Sequence, residues 1–218
     1  MAKSRTTVLD SESFLSLDES LLLLETIKND SESSTVVRDF AIVTLFLNCG
    51  MRLSELTGIN LTDIDRDLRS LRVIGKGNKE RVIYLNDACR SAIVDYLNER
   101  KKEDVSSINT KALFLSRRGD RISNKTVQWM VGKYLDAAGL GGRGLSVHKL
   151  RHTAATLMYQ SGDVDVRVLK DILGHAQLNT TQIYTHVSNE SMERAIASNP
   201  LAAAKIKKKK PSDTEEDS

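Results

Sequence analysis

The sequence predicts a mainly α-helical α+β protein with a small antiparallel three-stranded β-sheet set among its helices. Three observations carry that expectation. Apolar residues recur at helical spacing over most of the chain, capping signals bracket those stretches, and residues 61–85 switch to short β-branched segments around a glycine-containing turn. With 218 residues, 40% of them hydrophobic, the chain can bury one substantial core.

The first helix is signalled by Ser16 and Glu19, a capping box in which each side chain takes a free amide of the first turn, and it runs to about Lys28. A polar break, residues 29–34, follows. Residues 35–49 place Val36, Phe40, Val43 and Leu47 on a broad apolar face and stop at Gly50, while Arg52 opens a third, short helix. Residues 71–74 and 81–85 read as strands flanking the turn 75–79, with an earlier segment expected as the third strand. Helical periodicity returns over 87–100 and 124–138, where Val127, Met130, Val131, Tyr134, Leu135 and Ala138 form one stripe expected in the core. The glycine-rich loop 139–144 leads to Ser146, an N-cap candidate for a helix over 147–160 that Gly162 ends. Further helices are expected near 165–173, 180–186 and 189–197. Residues 1–16 read as a linker remnant, 17–199 as the folded domain and 200–218 as a disordered charged tail. The lysines at 205 and 207–210 are either a solvated charge run or an added attraction for phosphate.

Composition excludes several classes. The apolar runs fall well short of the ~20 residues of a membrane span, and residues 1–10 lack the apolar core of a signal peptide. Cys49 and Cys89, 40 positions apart, form no disulfide framework or metal-like spacing and fit a reducing, cytoplasmic setting. The formal charge of +3 hides an asymmetry: residues 35–210 hold 29 basic against 18 acidic side chains, a surplus that attracts polyanions. There is no G-x-x-x-x-G-K-[ST] nucleotide loop and no G-x-S-x-G elbow of a serine hydrolase.

Breaking a nucleic-acid strand without a metal needs a nucleophile, cations on the non-bridging oxygens and a proton donor for the leaving oxygen. His148 and Arg151 share a face in the first turn of the helix after Ser146, expected to point toward solvent beside free amides that favour an anion. A capped helix with two surface polar residues explains them equally well. His175 follows Gly174 in a chain turn, and Tyr184, taken alone in its polar segment, reads as a packing residue. His148 and His152 have the i, i+4 spacing of two metal ligands, but Lys149 stands where a zinc protease has glutamate and no cysteine completes a site, so no metal is expected.

Together these residues resemble the tyrosine recombinase, or lambda integrase, family, in particular its Xer-type and mobile-element integrase members. Five segments match in order over about residues 17–199: Gly50-Met-Arg-Leu-Ser-Glu-Leu56, Gly75-Lys-Gly-Asn-Lys-Glu-Arg81, His148-Lys-Leu-Arg-His-Thr153, Leu173-Gly-His175 and Tyr184. The resemblance implies the integrase catalytic-domain fold and a catalytic set of Arg52, Lys76, His148, Arg151, His175 and Tyr184. Tyr184 would attack phosphorus and form a 3′-phosphotyrosyl link; Arg52, Arg151 and His175 would hold the non-bridging oxygens; Lys76 would protonate the leaving 5′ oxygen, and His148 would take the tyrosine proton. Glu55 would orient Arg52, and Lys125, Gln128 and Trp129 would touch DNA from the helix over 124–138. No cofactor or nucleotide is implied. The implied partners are double-stranded DNA and further copies of the recombinase, a tetramer on DNA, with no membrane.

Members usually carry an additional N-terminal helical domain of ~100 residues that clamps DNA. Its absence from this sequence implies weak, strongly salt-dependent binding. A catalytically silent DNA-binding relative and a type IB topoisomerase-like relaxing enzyme are the alternatives; the complete six-residue set disfavours the first and the Xer-like motif wording the second. Met192, Ala195 and Ile196 offer a small apolar face, for a neighbouring protomer or for the chain's own domain.

Overall fold

The computed structural model describes residues 14–75, 77–100, 111–161, 165, 168–169 and 189–203. At the centre is α2 (Val36–Cys49), whose residues 41–49 are all buried because α1 (Leu17–Lys28), α4 (Asp87–Arg100) and α6 (Val147–Gln160) pack around it. The capping box of α1 forms: Ser16 Oγ accepts from the Glu19 amide at 3.1 Å and the Ser16 amide donates to Glu19 Oε2 at 2.8 Å. α2 ends at Gly50, whose φ of 57° is left-handed backbone and turns the chain abruptly into α3 (Leu53–Gly58). On α5 (Asn124–Ala137) the stripe from Val127 to Leu135 is buried and Ala138 packs partly buried against the same core.

β1 (Ser70–Ile74) and β2 (Glu80–Tyr84) pair antiparallel from Ser70↔Tyr84 to Ile74↔Glu80. Leu71, Val73 and Ile83 point into the core from one face. The expected three-stranded sheet is corrected: among the described residues the sheet has two strands. Where a third was expected, Leu61–Asp63 is a 3₁₀ turn and only Ile64 bridges Leu71. The chain cannot stay extended there, because a turn at once returns it to β1, with the Leu68 amide on the Asp65 carbonyl and Leu68 itself at a φ of 54°.

Of the two places open to the C-terminal apolar face, the chain's own domain is the one occupied. On α7 (Asn189–Ala197), Ala195 and Ile196 are buried with Ala154, Met158, Val168 and Leu169, and Met192 packs beside them. Asn86 Nδ2 donates to the Ile196 carbonyl at 3.2 Å and Asn199 Nδ2 to the Leu47 carbonyl at 3.0 Å, which ties this segment to the start of α4 and to α2. Leu15 and Leu201 are both buried in the main core. Cys49 and Cys89 are free, buried thiols with sulfurs 3.6 Å apart where α2 meets α4, and burial pushes the Cys89 thiol pKa up. Apart from residues 165, 168 and 169, the helices expected at 165–173 and 180–186, and the tail beyond 203, lie outside the described residues, as does Gly162.

Candidate active site

Three elements converge on one open cleft of about 440 Å³. It is lined by Arg52, Leu53 and Ser54 from the start of α3, Asn124 and Gln128 from α5, and Ser146, Val147, His148 and Arg151 from the start of α6. The left-handed turn at Gly50 aims Arg52 here, three residues after the core helix ends. Thr57 Oγ1 donates to Asn124 Oδ1 at 2.7 Å, and Arg121 Nη1 donates to the Thr57 and Ile59 carbonyls, so α3 is fixed against the start of α5.

Glu55 organises the cations. Its buried carboxylate accepts from Arg52 Nη1 at 2.9 Å and from the Arg52 amide at 2.7 Å, and on its other side from Arg81 Nε at 3.0 Å and Nη2 at 2.8 Å. Burial alone raises the pKa of this carboxyl, but the hydrogen bonds and charge of Arg81, joined by Arg52, outweigh it and hold the pKa below the ordinary value. The expected support of Arg52 by Glu55 is therefore present. Arg81, the second clamp, was missed by sequence reasoning. The signal was available: strand alternation puts Arg81 on the face of Ile83, toward the core, where a charge needs a partner.

Arg151 corrects an expectation. Rather than pointing to solvent it is 6% exposed, because α6 presents it to the end of α2, where its Nη1 donates to the Gly50 carbonyl at 2.9 Å. Its pKa is pushed down to about 10 by burial first, then by the charges of Arg52 and Arg81, against a smaller opposing pull from Glu55. Two guanidiniums are thus bonded to one carboxylate while a third feels only its charge, and an anionic phosphate oxygen in the cleft would relieve that imbalance. Ser146 occupies the N-cap position of α6 but makes no side-chain cap bond, which leaves the first-turn amides beside the cleft available to an anion. His148 is exposed on the same turn, its Nε2 3.0 Å from His152 Nε2.

Arg52, Glu55, His148, Arg151 and Gln128 are therefore brought together. Lys125 and Trp129 lie on the exposed outer face of α5, with Trp129 68% exposed. Lys76, His175 and Tyr184 lie outside the described residues. Gly75, which precedes Lys76, sits against the cluster: a Cβ there would stand 3.4 Å from Glu55 Oε1 and 3.8 Å from Arg52 Nη1.

Residues 13–191 match the model of the phage integrase family. Tyrosine recombinase XerC of Caldanaerobacter subterraneus subsp. tengcongensis is 56% identical over 189 residues, 87% of this chain and 51% of that protein. Tyrosine recombinase XerD of Bifidobacterium longum is 42% identical over 196 residues, 86% of this chain and 63% of its own. Among solved structures, XerA recombinase superposes with a TM-score of 0.65 at 31% identity, covering 83% of this chain and 63% of that one. XerH site-specific recombinase bound to difH substrate, in a pre-cleavage complex, gives 0.66 at 28% identity over 84% of this chain and 53% of that one. The chain spans about half the length of the first of these relatives. Matched over most of its length by the family model and by these recombinases, it belongs to the phage integrase family, the tyrosine recombinases.

Proposed function

We propose that this chain carries the catalytic domain of a site-specific DNA recombinase that cuts and rejoins duplex DNA through a 3′-phosphotyrosyl intermediate. The observation that carries the reading is the cleft lined by Arg52, Arg151 and His148, with Arg52 held from behind by the Glu55 carboxylate.

Chemistry then follows from what each group can do. Arg52 and Arg151, with His175, neutralise the non-bridging oxygens as phosphorus becomes pentacoordinate. Tyr184 attacks in line and its proton passes to His148; an unassisted phenol, pKa ~10, is a poor nucleophile at neutral pH. The bond to the 5′ oxygen breaks, Lys76 protonates that oxygen, and the phosphotyrosine keeps the energy of the broken linkage for rejoining. Glu55 acts through Arg52 and Arg81 as a positioning residue.

Lys125, Gln128 and Trp129 contact the DNA groove or backbone from the exposed side of α5. The working assembly is a tetramer on DNA, formed in a reducing cytoplasm. Affinity for DNA falls steeply as salt rises, because cations on the chain replace counterions on the phosphates.

The test uses nicked duplexes, among them the difH substrate carried by the XerH complex, and looks for a denaturant-resistant protein–DNA adduct. Wild type is expected to form it and Tyr184→Phe to lose it. An adduct that survives the substitution assigns the nucleophile elsewhere, and relaxation of supercoils without strand exchange marks a relaxing enzyme instead.

A further inference from the structure

His148 and His152 lie one turn apart on α6, both exposed, with their Nε2 atoms 3.0 Å apart and their rings edge-on at 4.6 Å between centroids. From this geometry we propose that the pair is a binding site for a divalent transition-metal ion, of the copper(II) and nickel(II) class, which withdraws His148 from the phosphate cleft when it binds. The lack of a third side-chain ligand argues against a closed zinc site, which needs four. An open, two-histidine site with water in the remaining positions has no such requirement.

The i, i+4 spacing brings two imidazoles to one side of a helix, as in helical metal sites. With metal–nitrogen bonds of ~2.0–2.1 Å, nitrogens this far apart subtend an angle of about 91–97° at the ion. That is the cis angle of tetragonal copper(II) or nickel(II); a tetrahedral zinc ion needs the nitrogens to open by a few tenths of an ångström. Now one Nε2 donates to the other. Coordination needs both lone pairs, so the ring protonated at Nε2 moves that hydrogen to its own Nδ1 and no proton leaves the pair.

Charge sets the strength. Arg52, Arg81 and Arg151 outnumber Glu55 in the neighbourhood and repel a cation, which favours moderate over tight binding. Bound ion and DNA compete for His148. The loss of cleavage that follows rests on the catalytic role proposed above for His148, whereas ion binding does not.

Calorimetric titration of the DNA-free chain with nickel(II) and copper(II) chlorides is expected to show one ion per chain, copper the tighter, with zinc weaker than copper. Either His148→Asn or His152→Asn is expected to weaken binding at least about tenfold, since each removes the second, intramolecular ligand. His186→Asn, a histidine outside the pair, is expected to leave binding as in wild type, with circular dichroism checking that all three variants fold. Binding that is unchanged in His152→Asn, or lost in His186→Asn, overturns the site. In the adduct assay, nickel(II) is expected to suppress the wild type and spare His152→Asn. Suppression that persists equally in His152→Asn overturns the withdrawal of His148, and site-specific binding with undiminished adduct formation keeps the metal site and removes the role given to His148.

Discussion

Glu55 and Arg81 form a two-point ion pair across the gap between α3 and β2, with both carboxylate oxygens engaged, at 3.0 Å to Nε and 2.8 Å to Nη2. The pair fastens the hairpin to the helix that carries Arg52. Glu55→Ala strips a buried carboxylate from two guanidiniums and is expected to cost about 3 kcal/mol or more in urea unfolding. Glu55→Gln keeps the shape without the charge, so it is expected to fall between the two, with adduct formation reduced further than folding because Arg52 loses its guide.

The same carboxylate sets an acid limit. Its folded pKa lies below the ordinary 4.5, so its contribution is complete above that value and is lost as pH falls through the folded pKa. Urea midpoints measured from pH 6 down to pH 3 are expected to drop in wild type, and to drop less in Glu55→Gln, which has no proton to gain at this position.

Much of this was legible in the sequence because local signals agreed with the tertiary outcome. Ser16 and Glu19 cap α1, Gly50 ends α2, and the residues 127–135 stripe is core, each for a reason contained within a few neighbouring residues. Legibility failed where a long-range partner decides. Arg151 sits on a polar turn that reads as surface, yet the end of α2 covers it. Arg81 reads as an ordinary strand residue until α3 supplies Glu55. The missing third strand has a similar origin, since β-like residues from 61 onward are spent on a 3₁₀ turn and a single bridge before the chain doubles back.

The outer face of α5 separates DNA contact from folding. Trp129 buries little surface in the domain, so Trp129→Ala is expected to change stability by less than about 0.5 kcal/mol. DNA affinity is expected to fall several-fold in fluorescence anisotropy. Lys125→Ala is expected to weaken all sequences alike and to lower the salt slope by about 1, the mark of a single phosphate contact. A normal salt slope in that variant removes Lys125 from the interface.

α7 packs on its own domain through Ala195 and Ile196. Ile196→Ala opens a cavity in the smaller apolar cluster and is expected to cost about 2–4 kcal/mol. Because the contact is within one chain, the loss is expected to be the same at low and at hundredfold higher protein concentration. A midpoint that rises with concentration for wild type and not for the variant would place that helix on a neighbour.

Arg151 carries the opposite balance of stability and function from Glu55. Its pKa is pushed down to about 10 by burial and by Arg52 and Arg81, so at neutral pH it stays charged at a cost to the folded state. That penalty lifts only as pH climbs from the folded value toward the ordinary arginine value. Arg151→Met removes a charge that burial and two neighbouring guanidiniums disfavour, along with the bond to the Gly50 carbonyl, and exchanges of buried charges for apolar residues are often neutral or stabilising. Its melting temperature in low-salt, anion-poor buffer is therefore expected to match or exceed that of wild type. Sulfate occupying the cleft stabilises whichever form binds it, by mass action, and with Arg151 gone the cleft loses its innermost cation. Wild type is thus expected to gain melting temperature with sulfate beyond its response to chloride at equal ionic strength, and Arg151→Met to gain much less. An equal gain in both would mean that the anion sits outside this cleft.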